Sequence, residues 1–332
     1  MKNGKVSIII VNYNGVHFLK KCLSSIKKQT YKNIEIILVD NNSHDGSIAY
    51  MKKIFEKSKI IKNNKNLGFA KPNNQGAKIA TGEYLFLLNN DTELFKNTIE
   101  KLLASYIDKS ILTARQISLR DKSIRGRAGA GSDIFGYPYV EDHIEKTRIF
   151  YADGAALFIK KKDFIKIGMF DEELYMFQED IDFSWRAQIM GYKIIPCWNA
   201  KLYHYYGGTA QMNFKKSKQY VSSYFRRYMN ERNIIRNILK NYSTPFIIFI
   251  LAGLSLFHLL EIILFSVLGK FKVVKCYFAA YKWNIKKFKS TMRMRKKIQK
   301  GRIVSDTIIL KHMYFTYAKL KNFTRLGIPS FE

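Results

Sequence analysis

Short apolar runs alternate with helix-period segments from the N-terminus onward, and this alternation constrains the fold more than any other feature of the chain. The order is KVSIIIVNYNG, FLKKCLSSIKKQ, IEIILVDNNSHDGS, SIAYMKKIFEKS and KIIKNNKNLG. Mostly β-branched runs followed by helical stretches predict a β-α-β-α-β order and a parallel α/β sheet. Its strands are expected to be buried on both faces.

Polar residues gather where each predicted strand ends: Asn12 to Gly15, Asp40 to Gly46, Asn63 to Gly68, and Asn89 to Thr92 after EYLFLL. Open α/β sheets bind ligands outside the carboxyl ends of their strands, so these clusters predict one crevice. Leu112 to Phe150, with RGRAGAGSDIFGYPYV, reads as irregular, a loop or short hairpins near that crevice. The pattern resumes with a strand at Ala155 to Ile159, a helix starting near Lys162, and a helix from Glu179 to Met190 that stops at Gly191.

The last part of the chain differs physically. Pro245 to Leu268 is an apolar stretch whose one formal charge is Glu261, long enough to cross a bilayer. From Lys270 to Glu332, seventeen Lys and Arg face two acids, so this fifth of a 332-residue chain carries about half of its +31 excess. A single span would separate the basic tail from the α/β part and tend to expel the latter from the cytosol. The reading adopted is therefore a segment lying in the interface or re-entering, with Ser255, His258 and Glu261 near one helical face and the tail against anionic lipid. A buried pair of core helices is the other reading of the same stretch. Domain boundaries are expected at 1–240 and 241–332. Cys22, Cys197 and Cys276 suggest neither a disulfide framework nor a zinc site, and VSIIIV is too short for a signal peptide, so a reducing, cytosolic location is expected.

Several residues carry chemistry. Asp91, with Asn89 and Asn90 beside it, offers oxygens suited to a hard divalent cation that also binds phosphate. As residues alone, NDTEL reads equally as an Asn-Asp turn or cap opening a helix. Glu179 and Asp180 form an acidic pair before a helix carrying Trp185 and Arg186, and an acidic first turn also suits the helix macrodipole.

The blocks VSIIIVNYNG, ILVDNNSHDGS, NLGFAKPNNQGAKIATGEYLFLLNNDTEL, DGAALFIKKKDF with GMFDEELYMFQEDIDFSWRAQIMGY, and AKLYHYYGG together resemble family 2 glycosyltransferases of the GT-A fold. They look most like rhamnosyltransferase-like bacterial members. The resemblance covers residues 5 to 240 in order; the rest matches loosely, as a hydrophobic and basic extension.

The resemblance implies an α/β, Rossmann-like, mostly parallel sheet flanked by helices, with a helical C-terminal extension. It implies an inverting, metal-dependent hexosyltransferase that moves a sugar from a nucleoside diphosphate donor, dTDP-rhamnose or a UDP-sugar, to a hydroxyl of a lipid-linked or growing cell-surface polysaccharide. Val11, Asn12, Asn14, Asp40 and Asn42 would hold the nucleotide, with Asp40 facing the base. Asn66, Gly68 and Asn74 would lie near ribose and phosphate, Asn90 beside the donor, and Asp153 and Gly154 along the donor sugar and acceptor. Asp91 matches the last position of the family's DxD motif, with Asn89 where the first Asp usually stands, and His204 matches a further metal contact. Manganese or magnesium is implied, with manganese favoured by an imidazole ligand. Asp180, the second residue of the ED pair beside Glu179, would be the base. Asp171 and Glu172 would be structural or acceptor-facing. The enzyme would work at the cytoplasmic face of the cell membrane, through an anionic lipid surface.

Other function classes fit less well. A nucleotidyltransferase needs a Gly-rich basic phosphate loop after the first strand, which NYNGVHFLKK lacks. A nucleic-acid-binding protein would not gather Asp40, Asp91, Glu179 and Asp180 on one rim, where they would repel a phosphate backbone. A catalytically degenerate nucleotide-sugar binder remains the closer alternative, because of Asn89.

Overall fold

The structure is a computed structural model that describes residues 3–119, 126–140, 147–205 and 221–331. The chain divides into two compact units. The first holds Met1–Ala130, Glu141–Ala187 and Tyr192–Met212; the second holds Gly131–Val140, Gln188–Gly191 and Asn213–Glu332.

The first unit runs β1 (Val6–Asn12), α1 (Val16–Lys27), β2 (Ile34–Asp40), α2 (Ser47–Ile54), β3 (Lys59–Lys62), α3 (Ala70–Ile79), β4 (Tyr84–Asn89), β5 (Thr92–Leu94), α4 (Thr98–Ser105) and β6 (Ser110–Ser118). β7 (Gly131–Ser132) and β8 (Pro138–Tyr139) belong to the second unit. The first resumes with β9 (Ala156–Lys160), α5 (Lys161–Ile167), α6 (Glu179–Ile189) and β10 (Lys193–His204). Eight strands form one sheet in the order β3-β2-β1-β4-β9-β6-β10-β5. The β3-β2-β1-β4 and β6-β10 pairings are parallel, while β9 and β5 run antiparallel to their neighbours.

Both sheet faces are buried, as continuous apolar runs require. Val6, Ile8 and Ile10 join Ile36, Leu38, Phe86 and Leu88 in one core with Leu19, Cys22, Leu23 and Ile26 of α1, whose three- and four-residue spacing puts them on one helical stripe. On the other face, α3 approaches so closely that a Cβ on Gly76 would sit 2.5 Å from Ile9 Cγ2. Only glycine lets that helix lie on β1. The register then pairs Asn12 with Asp40 and Val11 with Asn89, so the strand-end polar residues share one edge.

Two local expectations are corrected. The stretch after Leu112 is not irregular at its start: β6 continues to Ser118 between β9 and β10. Its period is hidden because Thr113, Gln116 and Ser118 are polar yet buried. Thr92 and Glu93 do not open a helix either; they form β5, paired with Leu202 to His204. Partners more than a hundred positions away override the local cap signal.

The second unit contains the β7-β8 ribbon, β11 (Val221–Ser222), α7 (Tyr224–Asn241), α8 (Thr244–Val267), α9 (Phe271–Lys300), α10 (Asp306–Leu310), α11 (Ala318–Leu326) and β12 (Ser330–Phe331), which pairs with β11. Ser223 caps α7 by accepting from the Arg226 amide at 3.1 Å. α7 groups with these helices, so the second unit begins before residue 240.

Candidate active site

At the carboxyl ends of β1, β2 and β4 the polar side chains bond to one another. Asn12 Nδ2 donates to Asp40 Oδ1 at 3.2 Å and to Ser43 Oγ at 3.1 Å, while Asn12 Oδ1 accepts from Asn90 Nδ2 at 2.7 Å. Asp40 Oδ2 accepts the Ser43 amide at 2.8 Å. Asn14, at φ 45°, closes the loop: its amide donates to Ser43 Oγ and its side chain accepts from the His44 amide. Asn42 also holds a positive φ, 70°, an αL conformation that asparagine tolerates better than most residues. Val11, half-buried, sits between Val39 and Asn89 at the mouth of this cluster.

Asn66 joins the cluster through its side-chain oxygen, which accepts from Asn41 Nδ2 at 3.3 Å and from the Gly68 amide at 2.9 Å. Gly68 sits at φ 79°, and a Cβ there would lie 2.4 Å from the Tyr175 carbonyl oxygen. That carbonyl accepts the Phe69 and Ala70 amides at the start of α3, at 2.7 and 3.1 Å. Asn74 is turned elsewhere. Its amide nitrogen donates to Phe170 O at 2.9 Å and Glu172 Oε1 at 3.2 Å, and its oxygen accepts from the Phe170 amide, so it clamps the segment leading to the ED pair. Asp171 caps the short turn Glu172–Leu174 by accepting the Glu173 amide.

A second group forms where β4, β6 and β10 end. His204 Nε2 lies 3.1 Å from Asp91 Oδ1, and His204 Nδ1 lies 2.8 Å from Gln116 Oε1; all three residues are buried. Gln116 also favours the ionised form of Asp153, and its side-chain oxygen faces the imidazole. Nδ1 then carries a proton, and Nε2 faces a carboxylate oxygen. Two acceptors in that position call for a proton or a cation between them. A ring nitrogen fixed by a second partner is how metal-ligating histidines are oriented. Among the described residues, no group of three His, Cys, Asp or Glu is arranged around one point, so a cation here would complete its shell with water or phosphate oxygens.

Asp153 links this pair to the acidic pair. Burial pushes its carboxyl up, but Arg127, His204 and its hydrogen bonds hold it below the usual carboxylate range. Arg127 Nη2 lies 3.0 Å from Asp153 Oδ2. Asp180 accepts the Gly154 amide at 3.1 Å and the Ile181 amide at 2.8 Å. Burial and the neighbouring Asp153 nevertheless raise it to about 7. Glu179, more deeply buried, is raised well above the carboxylate range by burial first and Asp180 second. Its Oε2 has no hydrogen-bond partner among the described residues, which suits a carboxyl that keeps its proton. The pair thus splits into a protonated acid and a half-buried carboxylate that titrates near neutrality.

Sequence reasoning missed Gln116 and Arg127, since both lay in the stretch read as irregular. Ser43 and Asn41 were quoted within their block but given no role. The Tyr206, Gly207 and Gly208 end of the YHYYGG block lies outside the described residues.

Residues 7–168 match the sequence profile described as Glycosyl transferase family 2. Over that stretch, just under half of its length, the chain is similar to family 2 glycosyltransferases. An uncharacterized glycosyltransferase of Haemophilus influenzae is 30% identical over 155 residues, 44% of this chain and 48% of that protein. Glycosyltransferase GlyG of Streptococcus pneumoniae is 36% identical over 108 residues, 31% of this chain and 36% of that protein. The matches thus span about half or less of these relatives. Among solved structures, S. aureus TarS 1-349 in complex with UDP aligns at TM-score 0.52 with 22% identity, covering 75% of this chain and 70% of that one. Mannosyltransferase PcManGT from Pyrobaculum calidifontis, in complex with GDP-Man and Mn2+, aligns at 0.54 with 15% identity over 97% of this chain and 88% of that one. At these identities the likeness is one of fold, the GT-A fold.

Proposed function

We propose that this protein is an inverting glycosyltransferase that moves a sugar from a nucleoside diphosphate to an acceptor hydroxyl. The observation that carries the reading is that Asp180 accepts the amide of Gly154, the neighbour of Asp153, whose carboxylate is in turn influenced by His204, so Asp153 connects the histidine-aspartate pair to the acidic pair. The UDP and the GDP-Man with Mn2+ bound in the two structural neighbours support a nucleotide-sugar donor and a divalent cation.

In this reading the Asn12, Asp40 and Asn90 cluster and Asn66 hold the nucleotide at the strand ends. Asp180 takes the acceptor hydroxyl proton as that oxygen bonds to the anomeric carbon, and the bond to the diphosphate breaks with its electron pair leaving on the nucleoside diphosphate. Glu179 keeps its proton, so the pair presents one ionisable carboxylate. One base fits a single displacement, which inverts the anomeric centre. Arg127 holds Asp153 ionised beneath the site. A manganese or magnesium ion held by Asp91 and His204 would neutralise the leaving diphosphate. For the donor we favour dTDP-rhamnose or a UDP-sugar, on the sequence resemblance. For the acceptor we favour a lipid-linked or growing cell-surface polysaccharide, on the apolar and basic C-terminal extension.

The test is release of nucleoside diphosphate from dTDP-rhamnose, UDP-glucose, UDP-galactose and UDP-N-acetylglucosamine, with manganese or with chelator, for wild type and Asp91→Ala. Metal-dependent release from one donor, lost in the variant, is expected. Binding of a donor without turnover would leave a nucleotide-sugar-binding homologue without activity, and no binding of any donor would overturn the reading.

A further inference from the structure

The second unit carries an exposed apolar surface. Among the described residues, the exposed large hydrophobic ones other than Tyr13, Ile79, Ile107 and Ile165 lie in it. α8 contributes Ile248, Phe249, Leu256, Leu259, Leu260, Ile263 and Val267, between 52% and 81% exposed. The spacing puts them on one side of the helix, opposite the buried stripe Ile250, Leu254, His258, Glu261 and Phe265.

The buried stripe explains why His258 and Glu261 do not face solvent. Glu261 accepts from Lys319 at 2.6 Å and from the Tyr277 hydroxyl, and Arg227 lies 3.9 Å from it. His258 Nε2 lies 3.1 Å from Glu231, whose other oxygen meets Arg227 and Lys319 at 3.0 Å, while His258 Nδ1 contacts the Tyr281 hydroxyl. Two acids and two bases cancel, and α7, α9 and α11 supply the partners of His258 and Glu261. Along α9, exposed Phe271, Phe278, Ile285 and Phe288 alternate with exposed Lys275, Lys282, Lys286 and Lys289. Lysine stems can lie along apolar surface while their ammonium groups reach outward.

We propose that α8 and the exposed stripe of α9 dock on an anionic phospholipid bilayer, with α8 lying in the interface. The apolar side matches the acyl boundary and the interleaved lysines match anionic headgroups, which is charge complementarity no purely apolar partner would use. A spanning helix would have lipid on every side of it, whereas α8 has an ion-pair network along one stripe, held by three other helices.

The full-length protein, diluted from detergent, is floated with phosphatidylcholine vesicles with and without phosphatidylglycerol. Flotation with the anionic vesicles, weakened by salt and reversed by alkaline carbonate, is expected. Leu259→Asp with Ile263→Asp lowers binding about a hundredfold, and Lys282→Glu with Lys289→Glu lowers it about ten- to a hundredfold. All four positions are exposed, and an unchanged circular dichroism melt checks that the fold persists. Equal binding to neutral vesicles that neither variant alters overturns the proposal. So does carbonate-resistant insertion, which means a span, or a dimer that the apolar variant converts to monomer without any vesicle binding. No donor or acceptor is present, so a negative result leaves the transferase reading as it was.

Discussion

His204 and Asp91, 113 positions apart, meet at 3.1 Å between Nε2 and Oδ1 because β10 pairs with β5. The contact is directional, since Gln116 Oε1 at 2.8 Å fixes the proton on Nδ1.

Gln116→Leu should therefore weaken manganese affinity without touching the nucleotide cluster. The half-saturating metal concentration should rise about 10- to 100-fold, with activity recovered at excess metal. His204→Ala should lose activity that added metal does not restore. A manganese titration of nucleoside diphosphate release separates the two.

Asp180→Asn should lower kcat by about a hundredfold or more, with the donor KM little changed. In the wild type, activity should climb as pH rises from 6 to 8, because a carboxyl titrating near 7 must lose its proton to act. The pH profile of kcat/KM checks this.

The same substitution should stabilise the protein at alkaline pH. The folded-state value of Asp180 is raised, so the group's contribution to stability is full below its unfolded value and is lost as pH rises through about 7. Removing the charge should raise Tm by about 3 °C at pH 8 and by less at pH 5, read by differential scanning calorimetry.

Arg186 is buried and bonds Asp182 Oδ2 at 2.9 Å and the Ile167 and Met169 carbonyls at 2.8 and 2.7 Å. Arg186→Ala leaves Asp182 buried without that partner and should cost about 3–5 kcal/mol in urea unfolding.

Asn12 supports both Asp40 and Asn90, so Asn12→Ala should raise the donor KM about tenfold, with kcat changed less. A nucleoside diphosphate titration by calorimetry should show the same loss of affinity.

Much of the site was legible in the chain because a parallel sheet places every strand end on one rim. Asn12, Asp40 and Asn90 were marked by that logic, and their mutual hydrogen bonds follow from register. Asn74 was marked too, but its amide faces Phe170 and Glu172. A residue in a helix's first turns can point to either side of a loop, and sequence spacing does not say which. Gln116 was illegible for a different reason: a buried polar residue breaks the very alternation by which a strand is recognised.

The sequence by itself determined the alternation of strands and helices, the polar strand ends, the acidic pair and the separate apolar and basic extension. All of these are local patterns, fixed by side-chain periodicity and turn chemistry. Tertiary structure alone decided that His204 reaches Asp91, that Asp153 feels His204 and in turn raises Asp180, and that His258 and Glu261 turn inward to Glu231, Arg227 and Lys319. Those depend on strand pairing and on desolvation, which arise only when distant segments bury one another.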